Sequence, residues 1–170
     1  MAVFVRKKYR IEKVQKEHYA RLVEVYNSNR GFLEHHLGVT FVDEDFILRE
    51  ALTMQEAGFV SCVAVDLFRQ EVEGLIEFRP GEEVYLSLLM LDRKICGRGE
   101  GRELYELFEE GVVKGGCNCV RIDVVDDYED NVTSFWREMG FVAEEHIDLS
   151  WGEKKSRALV MRKTLRRDKR

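Results

Sequence analysis

Three glycines alternate in Cys96-Gly97-Arg98-Gly99-Glu100-Gly101-Arg102, a segment that joins the apolar run Val84 to Leu91 to an amphipathic one. Glycine reaches positive φ without strain and lets main chain approach a ligand where a Cβ would clash. The first amides of a helix lack intrahelical partners, and the helix dipole adds partial positive charge there. A buried strand, a glycine turn and a helix start, in that order, suit a pyrophosphate. Arg98 and Arg102 stand ready for charge-assisted contacts. A Rossmann dinucleotide site fits poorly, because its third glycine falls where Arg102 stands and too few β-α units follow for Asp123 to act as the ribose-binding acid. The Gly-Lys-Ser/Thr of a Walker loop is absent.

Other residues with chemical potential are less ordered in sequence. Cys62, Cys96, Cys117 and Cys119 are too few for a disulfide scaffold, and Cys117 with Cys119 has no second pair at zinc spacing. They read as free thiols. Glu34-His35-His36 invites a metal, but adjacent side chains diverge, so these read as loop residues with local hydrogen bonds and no metal is expected.

The elements that must position these residues follow from periodicity. Val3 to Ile11 reads as a strand, and Tyr19, Leu22, Val23 and Tyr26 recur on one helical face. Asn27 to Thr40 reads as irregular, broken by Gly31 and Gly38. Asp43 caps a second helix with Ile47, Ala51 and Met54 on one face, ended by Gly58. Phe59 to Leu67, Glu71 to Phe78 and Val84 to Leu91 read as an antiparallel meander turned at Pro80-Gly81. In its second strand Val72, Gly74, Ile76 and Phe78 face one side and mostly glutamates the other, and the apolar third strand is central. A long helix carries Leu104, Leu107, Phe108 and Val112 and stops at Gly115-Gly116; Val120, Ile122 and Val124 alternate in the next strand. A short helix around Val132, Phe135, Trp136 and Met139 is capped by Asp130 or Asn131 and ended by Gly140. Phe141 to Leu149 and Arg157 to Lys163 are closing strands around a turn at Trp151-Gly152.

At 170 residues, 45% of them hydrophobic and 35% charged, the chain has the size and composition of one folded domain. No repeat or linker divides it, so residues 1–165 form the domain and 166–170 a basic tail. The net charge of −5 hides an asymmetry: Arg162 to Arg170 carry six Lys/Arg and one Asp, leaving residues 1–161 at −10. An acidic body disfavours nucleic acid and attracts cationic small molecules. The N-terminus has charges where a signal peptide is apolar, and no uncharged run approaches the roughly 20 residues of a membrane span. A cytoplasmic location is expected, with no membrane partner.

The glycine segment resembles the phosphate loop of the GNAT superfamily of acetyl-CoA-dependent N-acetyltransferases, Arg/Gln-x-x-Gly-x-Gly/Ala. Cys96 stands at the Arg/Gln place and Gly99 and Gly101 at the small positions. The cysteine removes a side chain but leaves the amides of Gly97 to Arg102. A second block, Asn131-Val-Thr-Ser-Phe-Trp-Arg-Glu-Met-Gly-Phe141, resembles the family's Asn-x-x-(x)-Phe-Tyr-x-x-x-Gly-Phe, and the element order matches over nearly the whole chain. The resemblance implies an α/β (α+β) fold with a mixed, mostly antiparallel sheet of about seven strands flanked by four helices. It implies acetyl-CoA as co-substrate, bound by Cys96, Gly97, Arg98, Gly99, Glu100, Gly101 and Arg102. The strand before the loop would splay from its neighbour, with the backbone of Leu89, Met90 and Leu91 along the pantetheine and Asn131 and Trp136 beside the cofactor.

The implied activity is transfer of an acetyl group to a primary amine of a small molecule or peptide, by direct attack in a ternary complex. Such transfer needs a base for the ammonium, stabilisation of the thioester oxygen and a proton for the leaving thiolate. A backbone amide at Met90 or Leu91 would polarise the carbonyl. Trp136 stands where the family often has an acidic tyrosine, which leaves water, Tyr128, Tyr85 or no specific acid. Glu83 is the first candidate base and Glu77 the second, and Tyr85 lines the groove or packs. Glu34, His35 and His36, with Asp43 and Glu44, fall in the substrate-facing stretch, and their acidity suits a cationic acceptor. The alternative function is a catalytically weak acyl-CoA-binding module acting as a sensor or interaction domain. Family members often dimerise through their C-terminal strands, so a homodimer is a further expectation.

Overall fold

The computed structural model describes residues 2–6, 8–129, 131–151 and 153–165. Asp130 as a cap, Gly152 in the last turn and the basic tail 166–170 lie outside the described residues. Thirteen elements matter: β1 (Ala2–Arg6), β2 (Tyr9–Lys13), α1 (Tyr19–Ser28), α2 (Arg30–Phe32, continued by a π turn, Leu33–Leu37), α3 (Glu44–Glu56), β3 (Val60–Asp66), β4 (Glu71–Arg79), β5 (Glu83–Leu91), α4 (Glu100–Lys114), β6 (Cys119–Val125), α5 (Thr133–Glu138), β7 (Val142–Trp151) and β8 (Lys154–Thr164).

The strands form one sheet in the order β1-β2-β3-β4-β5-β6-β8-β7. Every neighbouring pair is antiparallel except β5 with β6. One face is covered by α1 and α3, which bring Leu22, Val25, Tyr26 and Ile47 onto Val63, Val65, Leu75 and Met90. The other is covered by α4 and α5, where Leu104, Tyr105, Phe108 and Trp136 meet Ile76, Leu86, Ile122 and Met161. This is the mixed, mostly antiparallel sheet with flanking helices that the sequence implies. Among the described residues the sheet counts eight strands, because the stretch read as one strand, Val3 to Ile11, reverses between Arg6 and Tyr9 into a hairpin. The stretch read as irregular is partly helical: Gly31 lies inside α2, and Gly38 ends the π turn at φ +68°.

The helix boundaries follow local chemistry. The Asp43 side chain accepts from the Phe46 amide at 2.9 Å and caps α3. The short helix α5 is not capped by Asn131 as expected: its N-cap is Val132, which supplies no side-chain cap, and Asn131 accepts from Thr133 N at 3.0 Å in the turn before it, while Gly140 leaves that helix at φ +90°.

Two irregularities in the sheet shape the site. In β4 the register to β3 shifts between Ala64↔Gly74 and Val65↔Val72, and Glu73 is the extra residue. Two of the glutamates that alternate with apolar residues along β4 are interior, Glu73 at 0% and Glu77 at 3% exposure, since helices cover both faces of this strand. In β5 the register to β4 jumps from Phe78↔Leu86 to Glu77↔Leu88, leaving Ser87 unpaired as a bulge. A bulge bends its strand and sharpens the twist. Accordingly β5 pairs with β6 only at Glu83↔Cys119, Val84↔Val120 and Tyr85↔Arg121, then parts from it just before the bulge. Among the described residues, no strand pairs with β5 on the β6 side from Leu86 to Leu91.

Candidate active site

The wedge between β5 and β6 opens toward the glycine loop. After β5, Asp92 caps a short turn by accepting from Lys94 N at 3.0 Å, and its buried carboxylate is paired by Arg21 of α1. Asn29 donates to Leu91 O at 2.8 Å, and Ser28 Oγ accepts from Arg93 N at 3.0 Å. The last turn of α1 therefore fixes the end of β5 and the start of the loop. Beyond it, Gly97 and Gly99 sit at φ +78° and +83°, with nothing within 4 Å of where a Cβ would be. Gly99 is the N-cap of α4 and supplies no side-chain cap. Among the described residues, no protein group accepts a hydrogen bond from the amides of residues 97–102. Such amides need an acceptor. Arg98 is exposed, Arg102 is held loosely by Glu138 at 3.4 Å, and Arg93 and Lys94 add exposed positive charge before the glycines. The loop thus offers free donors and four cations, the requirements of a diphosphate.

Other expected cofactor residues have more local partners. Glu100 turns its carboxylate to Lys8 Nζ (2.6 Å) and Tyr9 Oη (2.8 Å), which outweigh burial and hold its pKa below the usual range. Tyr9 Oη also reaches Glu73 at 3.0 Å, so a buried polar bridge anchors the first turn of α4 to the sheet. Gly101 lies against Phe135 of α5, where a Cβ would make ordinary contact with the ring at 3.5 Å. Cys96 is half-buried with its Sγ 3.6 Å from Asp92 O. Asn131 donates to Tyr128 O at 2.8 Å, so both ends of its carboxamide brace the loop after β6. Trp136 is core, edge-on to Tyr105, Phe135 and Phe141 at 5.6, 4.9 and 5.3 Å between ring centres.

The candidate bases separate clearly. Glu83 begins β5 at the closed end of the wedge, eight residues before Leu91 and so roughly 26 Å away along an extended strand. Its carboxylate accepts from Arg162 Nε at 2.6 Å, and that bond holds its pKa down. Glu77 lies beside Leu88 at the bulge, facing α1 and α3. Burial pushes its pKa up to about 7, against the 2.8 Å hydrogen bond from Ser61 Oγ and with help from the Glu50 charge. Tyr85 marks the point where the strands part. Its ring meets Phe59 at 5.8 Å and the Arg121 guanidinium at 5.5 Å, and burial, then Asp123, raises its pKa. Asp123 holds Arg121 through two bonds of 2.9 and 3.0 Å.

The residues expected to face the substrate form an aromatic strap on the α1/α3 side of the sheet that reaches β8 and the loop after β6. The π turn carries His35 onto Tyr128, stacked at 4.2 Å, and His36 onto Phe32 at 4.5 Å. Ser156 Oγ of β8 reaches His35 O at 3.5 Å. Burial lowers the His36 pKa to about 4, so its ring is neutral near pH 7. Glu34 is exposed. Sequence reasoning gave no part here to Asp123, Arg93, Lys94 or Glu50. The two cations lie beside the glycines and were within reach of a wider reading of that segment, whereas Asp123 and Glu50 depend on which face they occupy.

No protein-family model matches the sequence. No curated protein matches it either. Solved structures do match. An acetyltransferase from Salmonella typhimurium that modifies the N-terminal serine of ribosomal protein L7/L12 superposes with TM-score 0.79 at 12% identity, over 98% of this chain and 100% of that one. A probable GNAT-family acetyltransferase from Chromobacterium violaceum gives 0.81 at 15%, over 95% and 85%. The spermidine N-acetyltransferase of Vibrio cholerae, in complex with CoA and spermine, gives 0.71 at 13%, over 92% and 95%. The chain therefore has the GNAT fold. Among the described residues no helix is long and apolar enough to cross a membrane.

Proposed function

We propose that the protein is an acetyl-CoA-dependent N-acetyltransferase that acylates a primary amine of a small molecule or peptide by direct attack in a ternary complex. The observation that carries this reading is the set of unbonded amides at residues 97–102, beside a wedge open along Leu86 to Leu91. Gly97 and Gly99 leave space for a diphosphate, and Arg93, Lys94, Arg98 and Arg102 balance its charge. The backbone of Leu89, Met90 and Leu91 runs along the wedge, where it would pair with the pantetheine arm and polarise the thioester oxygen. Acetyl-CoA brings the activated acyl carbon.

In this reading Glu77 rather than Glu83 is the base. A buried carboxylate titrating near 7 is matched to proton removal at neutral pH, whereas a carboxylate paired with arginine is a weak base. The amine gives its proton to Glu77, its nitrogen forms the new N–C bond and the C–S bond breaks. With Trp136 in the core, the thiolate takes its proton from water or from Tyr85. His35, His36 and Tyr128 wall the acceptor side.

The same Trp136 favours a second reading, a catalytically weak acyl-CoA-binding module. Thiol release with a panel of amines separates the two: steady release with any acceptor supports the enzyme, and binding of acetyl-CoA without release supports the module. A cytoplasmic location accords with both.

A further inference from the structure

The glycine loop opens a helix that already carries an anion of its own, since Glu100 is the first residue of α4. A carboxylate at a helix start takes up the positive potential that a diphosphate there would use. A polar network disposes of that charge by tying α4 to the β1–β2 and β3–β4 hairpins. Lys8, in the β1–β2 turn, puts Nζ 2.6 Å from Glu100 Oε1 and 3.7 Å from Asp66 Oδ2. Its carbonyl accepts from Leu67 N at 2.8 Å, which fixes one turn against the other. Asp66 accepts from Phe68 N and Arg69 N at 2.8 and 3.0 Å. Arg69 pairs with Glu73, the extra residue of the β4 bulge, and lies 3.4 Å from Asp66. Three carboxylates, Asp66, Glu73 and Glu100, thus meet two cations and the single hydroxyl of Tyr9. Arg69 serves Asp66 and Glu73, and among the described residues Lys8 is the cation paired with Glu100.

We propose that Lys8 is a positioning residue for the acyl donor: it draws the Glu100 carboxylate aside and cancels its charge, so that the amides of residues 97–102 keep their positive potential for a diphosphate. Tyr9 shares the first task by holding Glu100 Oε2 at 2.8 Å. Both act through Glu100, and neither needs to touch the ligand. Without Lys8 the three carboxylates would share Arg69 alone, and the one left uncompensated at the helix start would be Glu100. That charge would repel a diphosphate, and salt would screen it only in part because Glu100 is half-buried. A bridge that merely braced α4 would depend on both of its ends, whereas a bridge that cancels charge needs the cation only while the carboxylate is present. The inference rests on the reading of residues 97–102 as a diphosphate site.

The test is calorimetric titration of acetyl-CoA into the full chain and into Lys8→Arg, Lys8→Met, Glu100→Gln and the double variant Lys8→Met/Glu100→Gln, each shown to be folded by a cooperative melt. Lys8→Met should weaken acetyl-CoA about five- to tenfold at low salt, and by less at high salt. Lys8→Arg, which keeps the charge, should bind within about twofold of the wild type. Glu100→Gln should bind about two- to fivefold more tightly than the wild type, because it removes the competing anion. Adding that change to Lys8→Met should restore most of the lost affinity. A double variant that binds no better than Lys8→Met marks a brace and overturns the proposal. Equal affinity of wild type and Lys8→Met overturns it too, as does a deficit that salt leaves unchanged. If Lys8→Met does not fold, Glu100→Gln decides alone: tighter binding supports the proposal, and unchanged or weaker binding overturns it. A folded wild type that binds no acetyl-CoA removes the diphosphate reading and this inference together, whereas the contrary results above, obtained with a wild type that binds, remove this inference alone.

Discussion

Glu77 carries two opposite demands. Its carboxylate is interior, and burial raises its pKa from the ordinary 4.5 to about 7. A group raised on folding contributes stability below its unfolded pKa, and that contribution is lost as pH rises through the folded one. The window here runs from about 4.5 to about 7. Glu77→Gln should therefore stabilise the protein at pH 8, by about 1–3 kcal/mol, and change little at pH 5; thermal melts at the two pH values check this. The same substitution should lower kcat for acetyl transfer by about 100-fold and leave acetyl-CoA affinity intact. Wild-type rate should rise with pH through about 7, as the base loses its proton. Glu83→Ala, at the closed end of the wedge, should change kcat less than threefold. A large loss in that variant would return the base role to Glu83.

The elements that build the site are short-range devices placed by long-range pairing. The Ser87 bulge and the end of pairing at Tyr85↔Arg121 open β5 from β6, while Asn29, Ser28 and Arg21 hold the open end in place. Gly99 needs φ +83° to turn the amides outward. Gly99→Ala should cost about 1–2 kcal/mol of stability and weaken acetyl-CoA at least tenfold, read by melting and titration. The glycine loop, the Asp43 cap and the meander were legible in the sequence, because φ > 0 turns, an acidic N-cap and alternating strands write local signals. The fate of the β4 glutamates was not. Glu77 reads as half of a polar stripe, and only the helices packed over that face make it interior. The bulges at Glu73 and Ser87 break the period-two alternation at single residues, a change that depends on partner strands far along the chain. His35 and His36 read as loop residues because the π turn that gathers them with Phe32 and Tyr128 has no simple periodic signature.

At the scale of the molecule, one eight-stranded sheet separates two chemistries. The α4/α5 face supplies the anchored helix start, tied through Glu100, Lys8 and Tyr9, and the α1/α3 face supplies carboxylates and the aromatic strap. In the proposed reading, the wedge between β5 and β6 is where an acyl donor held from one face would meet an acceptor from the other. All of this depends on the amides of residues 97–102 binding a diphosphate. Calorimetric titration of acetyl-CoA into the wild type and Gly99→Ala tests it most directly. The account predicts saturable one-to-one binding by the wild type, weakened at least tenfold in Gly99→Ala, with no comparable heat from NAD. Absence of acetyl-CoA binding by the folded wild type, or equal affinity in the two proteins, would contradict it.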